Sequence, residues 1–162
     1  MRRHASAVLL ACLFCVPALA QQPAGSATPV SAASQREAIA QQDQRMEAAA
    51  REVAELIDAQ RIGEVWDGAS VVARKVIARE QFIQGIGQDR QRLGARISRG
   101  QASVSRVQYK DGSAVPAGIY VNVSFASRFA NSSQPVRELI SFRLDDDKVW
   151  RVSGYSVRAP GQ

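Results

Sequence analysis

Histidine and cysteine, the residues that most often hold metals or act as bases and nucleophiles, occur only in the first fifteen positions of this chain, as His4, Cys12 and Cys15. They sit in a segment built to be removed. Arg2 and Arg3 start it, an apolar run follows from Ala5 to Val16, and Pro17-Ala18-Leu19-Ala20 precedes Gln21. These are the basic, apolar and Ala-x-Ala parts of a secretory signal peptide. The apolar run is too short to anchor in a bilayer. Cleavage after Ala20 removes 20 of the 162 residues and leaves 142 with neither thiol nor imidazole. The expected product is periplasmic or secreted. Leu9-Leu10-Ala11-Cys12 loosely matches a lipoprotein processing site, but Leu10 is bulky where a small residue is usual. The apolar run before Cys12 would also be only about seven residues, the bottom of the usual range.

Acid–base or nucleophilic chemistry in the mature chain therefore falls to Asp, Glu, Lys, Tyr or Ser. No Ser-x-x-Lys, Gly-x-Ser-x-Gly or Gly-x-x-x-x-Gly-Lys occurs after residue 20. Arg90, Arg92 and Arg99 bracket an expected helix end, and Glu138 lies on an expected strand. A planar guanidinium facing a carboxylate makes a geometrically specific link. Those residues form either a clamp between helix and sheet or a pocket for an anionic ligand; the clamp, with Arg90 opposite Glu138, is the preferred reading. Trp66, Trp150 and Tyr155 either line a ligand slot between helices and sheet or fill the core with their polar atoms paired. Gly154, beside two large rings, is expected to let a neighbour approach closely. Asp145-Asp146-Asp147-Lys148 lacks the ligand spacing, glycine and terminal glutamate of a calcium loop and reads as an acidic turn. No metal or cofactor is expected. Asn122-Val-Ser and Asn131-Ser-Ser match the glycosylation sequon, but the first falls in mid-strand and both are discounted.

Charge is unevenly distributed. Residues 36–67 hold four basic and eight acidic side chains, and residues 74–110 hold nine basic and two acidic. The basic stretch is either a face for polyanions or lipid, or a surface neutralised by the acidic helix before it. Nucleic acid is a poor partner, because no aromatic residue interleaves the arginines between 90 and 106.

The elements that must position these residues follow from hydrophobic period. Residues 21–34 are small, polar and uncharged, the composition of a flexible tether. A helix is expected over 35–60, with Ile39, Met46, Ala50, Val53 and Ile57 in one stripe that is thin before Met46. A shorter helix over 64–73 is weakened by Gly68. A third runs over 79–93, with Phe82, Ile83, Ile86 and Leu93 inward, Gly94 past its end, and Ala78 at an N-cap it cannot serve. The period then drops to two over 104–110, 119–129, 136–144 and 149–157, separated by turn-forming residues. Ile119, Val121, Val123 and Phe125 share one face, as do Val136, Ile140, Phe142 and Leu144. The expected fold is α+β, with three N-terminal helices on one face of a four-stranded antiparallel meander. Residues 35–162 form one domain, cystatin-like or NTF2-like in outline.

Val65-Trp66-Asp67, Phe82, Arg90-Gln-Arg-Leu-Gly94 with Arg99, Pro116-Ala-Gly-Ile-Tyr120, Glu138 and Trp150-Arg-Val-Ser-Gly-Tyr155 occur in a characteristic order. In these the chain, over roughly 47–158, resembles the DUF4019 family of exported bacterial proteins. Ala78 departs from the serine or threonine usual there. The resemblance implies a fold and a compartment and carries no activity.

The expected function is a small exported binding or interaction module, not an enzyme. Its partner would be an envelope protein or a small anionic or lipid ligand, without a transmembrane anchor. Residues placed at its site are Trp66, Arg90, Arg99, Glu138, Trp150 and Tyr155. The competing expectation is an NTF2-like hydrolase or isomerase working through Glu138 and Tyr155.

Overall fold

Helix α1 (Ala32–Asp58) commits to the core only in its second half, where Met46, Ala50, Val53, Ala54 and Ile57 are buried at steps of four, three, one and three. In the computed structural model, which describes residues 31–158, its first turns stand clear, and Ile39 is exposed rather than part of the stripe. The helix begins at Ala32, inside the stretch expected to be tether. Residues 1–30, with the expected cleavage site, His4, Cys12, Cys15 and most of that tether, lie outside the described residues.

The single short helix expected over 64–73 is two, α2 (Ile62–Asp67) and α3 (Val71–Val76). The break is set by Ser70, which is fully buried. Its amide donates to the Val152 carbonyl at 2.8 Å, so the chain is pinned to the sheet. Its hydroxyl accepts from the Val72 amide at 3.2 Å and starts a new helix as an N-cap.

Helix α4 (Arg79–Leu93) buries Phe82, Ile86 and Arg90 at steps of four, so an arginine occupies the third inward position. Gly94 ends it at φ 74°, a conformation that favours glycine. At its start Ala78 supplies no side-chain bond, while Gln81 Oε1 accepts from the Ala78 amide at 3.4 Å.

Strands β1 (Arg96–Tyr109), β2 (Gly118–Phe129), β3 (Val136–Leu144) and β4 (Trp150–Arg158) form an antiparallel meander in the order β1-β2-β3-β4. β1 starts eight residues before the expected strand. Its first half is mostly polar and exposed apart from Arg99 and is interrupted by two register shifts, so no apolar alternation marks it. One face of the sheet carries Val121, Val123, Phe125, Ile140, Phe142 and Val152 against α1, α2 and α4. Each such side chain contributes about 1.5–3 kcal/mol by burial. Ile119 shares this parity but lies beyond the helices and is exposed.

Candidate functional site

Asp58 is the last residue of α1, where a carboxylate faces the negative end of the helix dipole and needs a cation. Three arginines supply it. Arg90 Nη2 donates to Asp58 Oδ1 at 2.7 Å, Arg96 Nε to Oδ2 at 2.7 Å, and Arg99 Nη2 to Oδ2 at 3.2 Å. Glu138, fully buried on β3, is gripped at both oxygens by Arg99, Nε to Oε2 at 2.7 Å and Nη2 to Oε1 at 2.9 Å. Ser127 Oγ donates to Oε2 at 2.6 Å and Tyr155 Oη to Oε1 at 2.9 Å. Burial, then the nearby Glu138 charge, pushes the Tyr155 hydroxyl well above its ordinary value. Burial also opposes the charge on Arg99, but its bonds to Glu138 and Asp58 outweigh that and stabilise it.

The expected clamp from Arg90 to Glu138 is replaced by two links: Arg99 and Glu138 join strands within the sheet, and Asp58 at the end of α1 ties helix to sheet through Arg96 and Arg99. Arg90 stands 3.6 Å from Glu138 and makes its shorter bond to Asp58. Its guanidinium lies 4.4 Å from the Phe129 ring centroid, held against the core. Arg92 turns outward to Asp89 and takes no part. Three cations against two carboxylates leave one positive charge, and the C-terminal ends of α1 and α4 at this corner offset it.

Trp66 and Trp150 are not part of this cluster. Trp66 is half-buried on α2, donating Nε1 to the Ile77 carbonyl at 3.4 Å, with the Arg74 guanidinium 5.7 Å from its ring. Trp150 opens β4, half-buried against the core. Of the two readings for Trp66, Trp150 and Tyr155, packing is the one seen: all three are partly buried against the same apolar cluster. Part of the basic stretch pairs with the acidic one, Arg106 with Asp43 at 2.6 Å, Arg79 with Asp67 at 2.9 Å, and Arg90, Arg96 and Arg99 with Asp58.

A concavity lies on the other face of the sheet. Alternation turns Tyr120, Asn122, Ser141 and Arg143 away from Val121, Val123, Ile140 and Phe142. Helix α3 flanks this surface on one side and the loop between β1 and β2 on the other, enclosing a cleft of about 250 Å³. Val72 and Val76 of α3 and Ile77 just past it form one wall, and Val115 and Pro116 of the loop the other, with Tyr109 beside them. Tyr109 and Tyr120 meet edge to face at 5.3 Å. Asn122, Ser141, Arg143, Ser153 and Gly154 form its floor.

One chain of hydrogen bonds braces both walls. Ser70, the cap of α3, donates Oγ to Asp145 Oδ1 at 2.6 Å, and Arg143 Nη1 donates to the same oxygen at 2.9 Å. Arg143 Nη2 then reaches the Ala117 carbonyl of the loop at 3.1 Å. Tyr120 Oη ties the loop again, donating to the Pro116 carbonyl at 2.8 Å. Burial raises the Asp145 carboxyl, but the bonds from Ser70, Arg143 and Arg151 overcome it and hold it below its ordinary value. The acidic turn thus does more than connect strands: Asp145 carries the brace.

The floor is shaped by a bulge. Ser141 pairs with Gly154 and Phe142 with Val152, leaving Ser153 as the extra residue. Bulges re-aim side chains and cluster beside sites. Ser153 Oγ is buried without a partner. A Cβ added at Gly154 would meet nothing within 4 Å. The close approach expected at Gly154 is absent; the glycine leaves space in the cleft.

None of the six residues expected at a site lines this cleft. Asp58, Arg96 and Ser127 were missing from the expected cluster as well. Two of the three carried a signal, Asp58 as a carboxylate at a helix C-terminus and Ser127 as a serine at an inward position between Phe125 and Phe129; Arg96 carried none. The cleft had no comparable signal, because its walls come from α3, a loop and the outward face of three strands.

With this geometry in hand, the chain matches over residues 49–155 the family described as protein of unknown function, DUF4019, and belongs to it. No curated protein and no solved structure matches it. Membership therefore brings no activity with it. No helix among the described residues is long and apolar enough to cross a membrane.

Proposed function

We propose that this chain is an exported binding module that holds a small ligand in the cleft between α3, the β1–β2 loop and the outer face of the sheet. The cleft carries the reading. It is concave, mostly apolar in its walls and polar in its floor, the anatomy of small-molecule sites. Its walls are fixed to one another through Ser70, Asp145 and Arg143. Preorganisation of that kind lowers the cost of binding. Export rests on the basic, apolar and Ala-x-Ala pattern of residues 1–20.

The geometry counts against catalysis by Glu138 and Tyr155. A general base needs an accessible oxygen within reach of a substrate proton. Glu138 has no exposed surface, and Arg99, Ser127 and Tyr155 occupy both its oxygens.

Gly154→Val tests the reading. The substitution places methyl groups in open space on a strand, where a β-branched residue is favoured. Saturation-transfer NMR with a mixture of uncharged aromatic fragments should detect binding to the parent chain and none to the variant, at a melting temperature no lower than the parent's. Equal saturation of both chains, or of neither, would overturn the proposal. Intact-mass measurement of the exported protein should give an unlipidated chain starting at Gln21. A chain starting at acylated Cys12 would place it on a membrane surface instead.

A further inference from the structure

We infer that the cleft selects an uncharged, ring-sized molecule that presents a carbonyl or hydroxyl oxygen to Asn122 or Ser153; this rests on the cleft being the binding site. Charge on the lining decides the first property. Arg143 is the only ionised side chain there, and its guanidinium is already used, Nη1 on Asp145 and Nη2 on the Ala117 carbonyl. Arg143 and Arg151 face Asp145 and Asp147, two charges of each sign. An anion would find no free cation, and a cation would find no lining carboxylate. Either would lose its hydration without recompense.

Unused hydrogen-bonding capacity decides the second property. Ser141 Oγ donates to Asn122 Oδ1 at 2.7 Å, which fixes that amide and leaves its NH₂ without a partner among the described residues. Ser153 Oγ, on the bulge, is buried and unpartnered. Its oxygen is sealed in this rotamer, so a guest meets it only as the Ser153 side chain turns to another staggered rotamer. Buried polar groups are nearly always satisfied, and one left unpaired signals a missing partner. An oxygen on the guest would supply a partner to either group. Arg143 Nε is also unpartnered, but it packs where a Gly118 Cβ would stand, 2.9 Å away, and serves the brace rather than the guest. Size and walls decide the third property. About 250 Å³ between valines, Ile77, Pro116 and two tyrosine rings suits one ring with a short substituent.

Three probes that share a ring and differ in head group separate these properties: acetophenone, ethylbenzene and benzoate. They would be titrated into the ¹⁵N-labelled chain, with amide shifts followed at Val72, Val76, Asn122 and Ser153. Acetophenone should give saturable shifts there and bind about three- to tenfold more tightly than ethylbenzene, the worth of one neutral hydrogen bond. Benzoate should bind more weakly than acetophenone. Ser153→Ala or Asn122→Ala should narrow the gap between acetophenone and ethylbenzene. Tighter binding of benzoate, equal binding of ethylbenzene, or a gap unchanged in both variants would overturn the ligand class and leave the cleft as a binding site. Absence of saturable shifts with all three probes would overturn the cleft as well.

Discussion

Arg99 on β1 reaches Glu138 on β3 across the intervening strand β2, closing two hydrogen bonds of 2.7 and 2.9 Å. Ser127 of β2 completes the link from below, and Asp58 ties the same arginine to the end of α1. Two ions this deeply buried gain little over an apolar pair, but removing one strands the other. Glu138→Gln and Arg99→Gln should therefore each cost about 3–5 kcal/mol, the loss expected when one partner of a buried pair is removed. The double variant should cost less than their sum, with a coupling of roughly 1–3 kcal/mol. Coupling of Arg90→Gln with Glu138→Gln should be smaller, because Asp58 at 2.7 Å is the nearer partner and Glu138 stands at 3.6 Å. Urea denaturation of the five variants measures both. Additive losses for Arg99 and Glu138 would refute the link.

The start of α4 offers an independent gain. Ala78 occupies the N-cap with extended backbone and no acceptor, while Gln81 already bonds back to its amide. Ala78→Ser supplies the missing half of a capping box and should stabilise by about 0.5–1 kcal/mol. An unchanged urea midpoint would show that water serves that end of the helix equally well.

Acid should loosen the walls of the cleft. The Asp145 carboxyl is held below its ordinary value in the folded chain, so its stabilising effect is complete above the ordinary carboxylate range. That effect is lost as pH falls through the lower, folded value. Protonation frees Ser70 and Arg143 and with them both walls. With the intrinsic rate, which itself slows as pH falls, divided out, amide protection in α3 and the loop 110–117 should therefore drop on acidification more steeply than protection in β2. Asp145→Asn should make exchange in those two segments fast already at neutral pH and remove the extra acid dependence. Parallel exchange profiles in all segments would contradict the brace.

The layer order was legible because one face of each main element repeats cleanly. Phe82 and Ile86 mark α4, and Val121, Val123 and Phe125 mark β2. Elements stabilised by polar anchors were not. Ser70 splits α2 from α3 through a bond to Val152, eighty-two residues away in the chain and invisible to local periodicity. The first half of β1 is held by its ladder to β2 and carries no apolar alternation. At the candidate cluster, Arg99, Glu138 and Tyr155 stood out by type, but the partner of Arg90 could not be read from spacing. Arg90 and Asp58 are joined because two helix ends meet at one corner, a tertiary fact. The cleft was hidden for the same reason.

Gly154 brings stability and binding into opposition. A glycine inside a strand costs about 0.5–1 kcal/mol relative to alanine through backbone entropy. Here the cost has no packing compensation, since a Cβ at that position meets no atom within 4 Å. Gly154→Ala should therefore raise stability by about 0.5–1 kcal/mol. It should also narrow the floor of the cleft and weaken acetophenone binding, with little change at the Arg99–Glu138 cluster on the other face of the sheet. Such a trade is common where a site keeps a residue the fold would replace. Urea denaturation and the acetophenone titration on the same variant decide the matter. A loss of stability would show that the glycine serves close packing after all. A gain in stability with undiminished binding would show that the guest lies elsewhere than over Gly154.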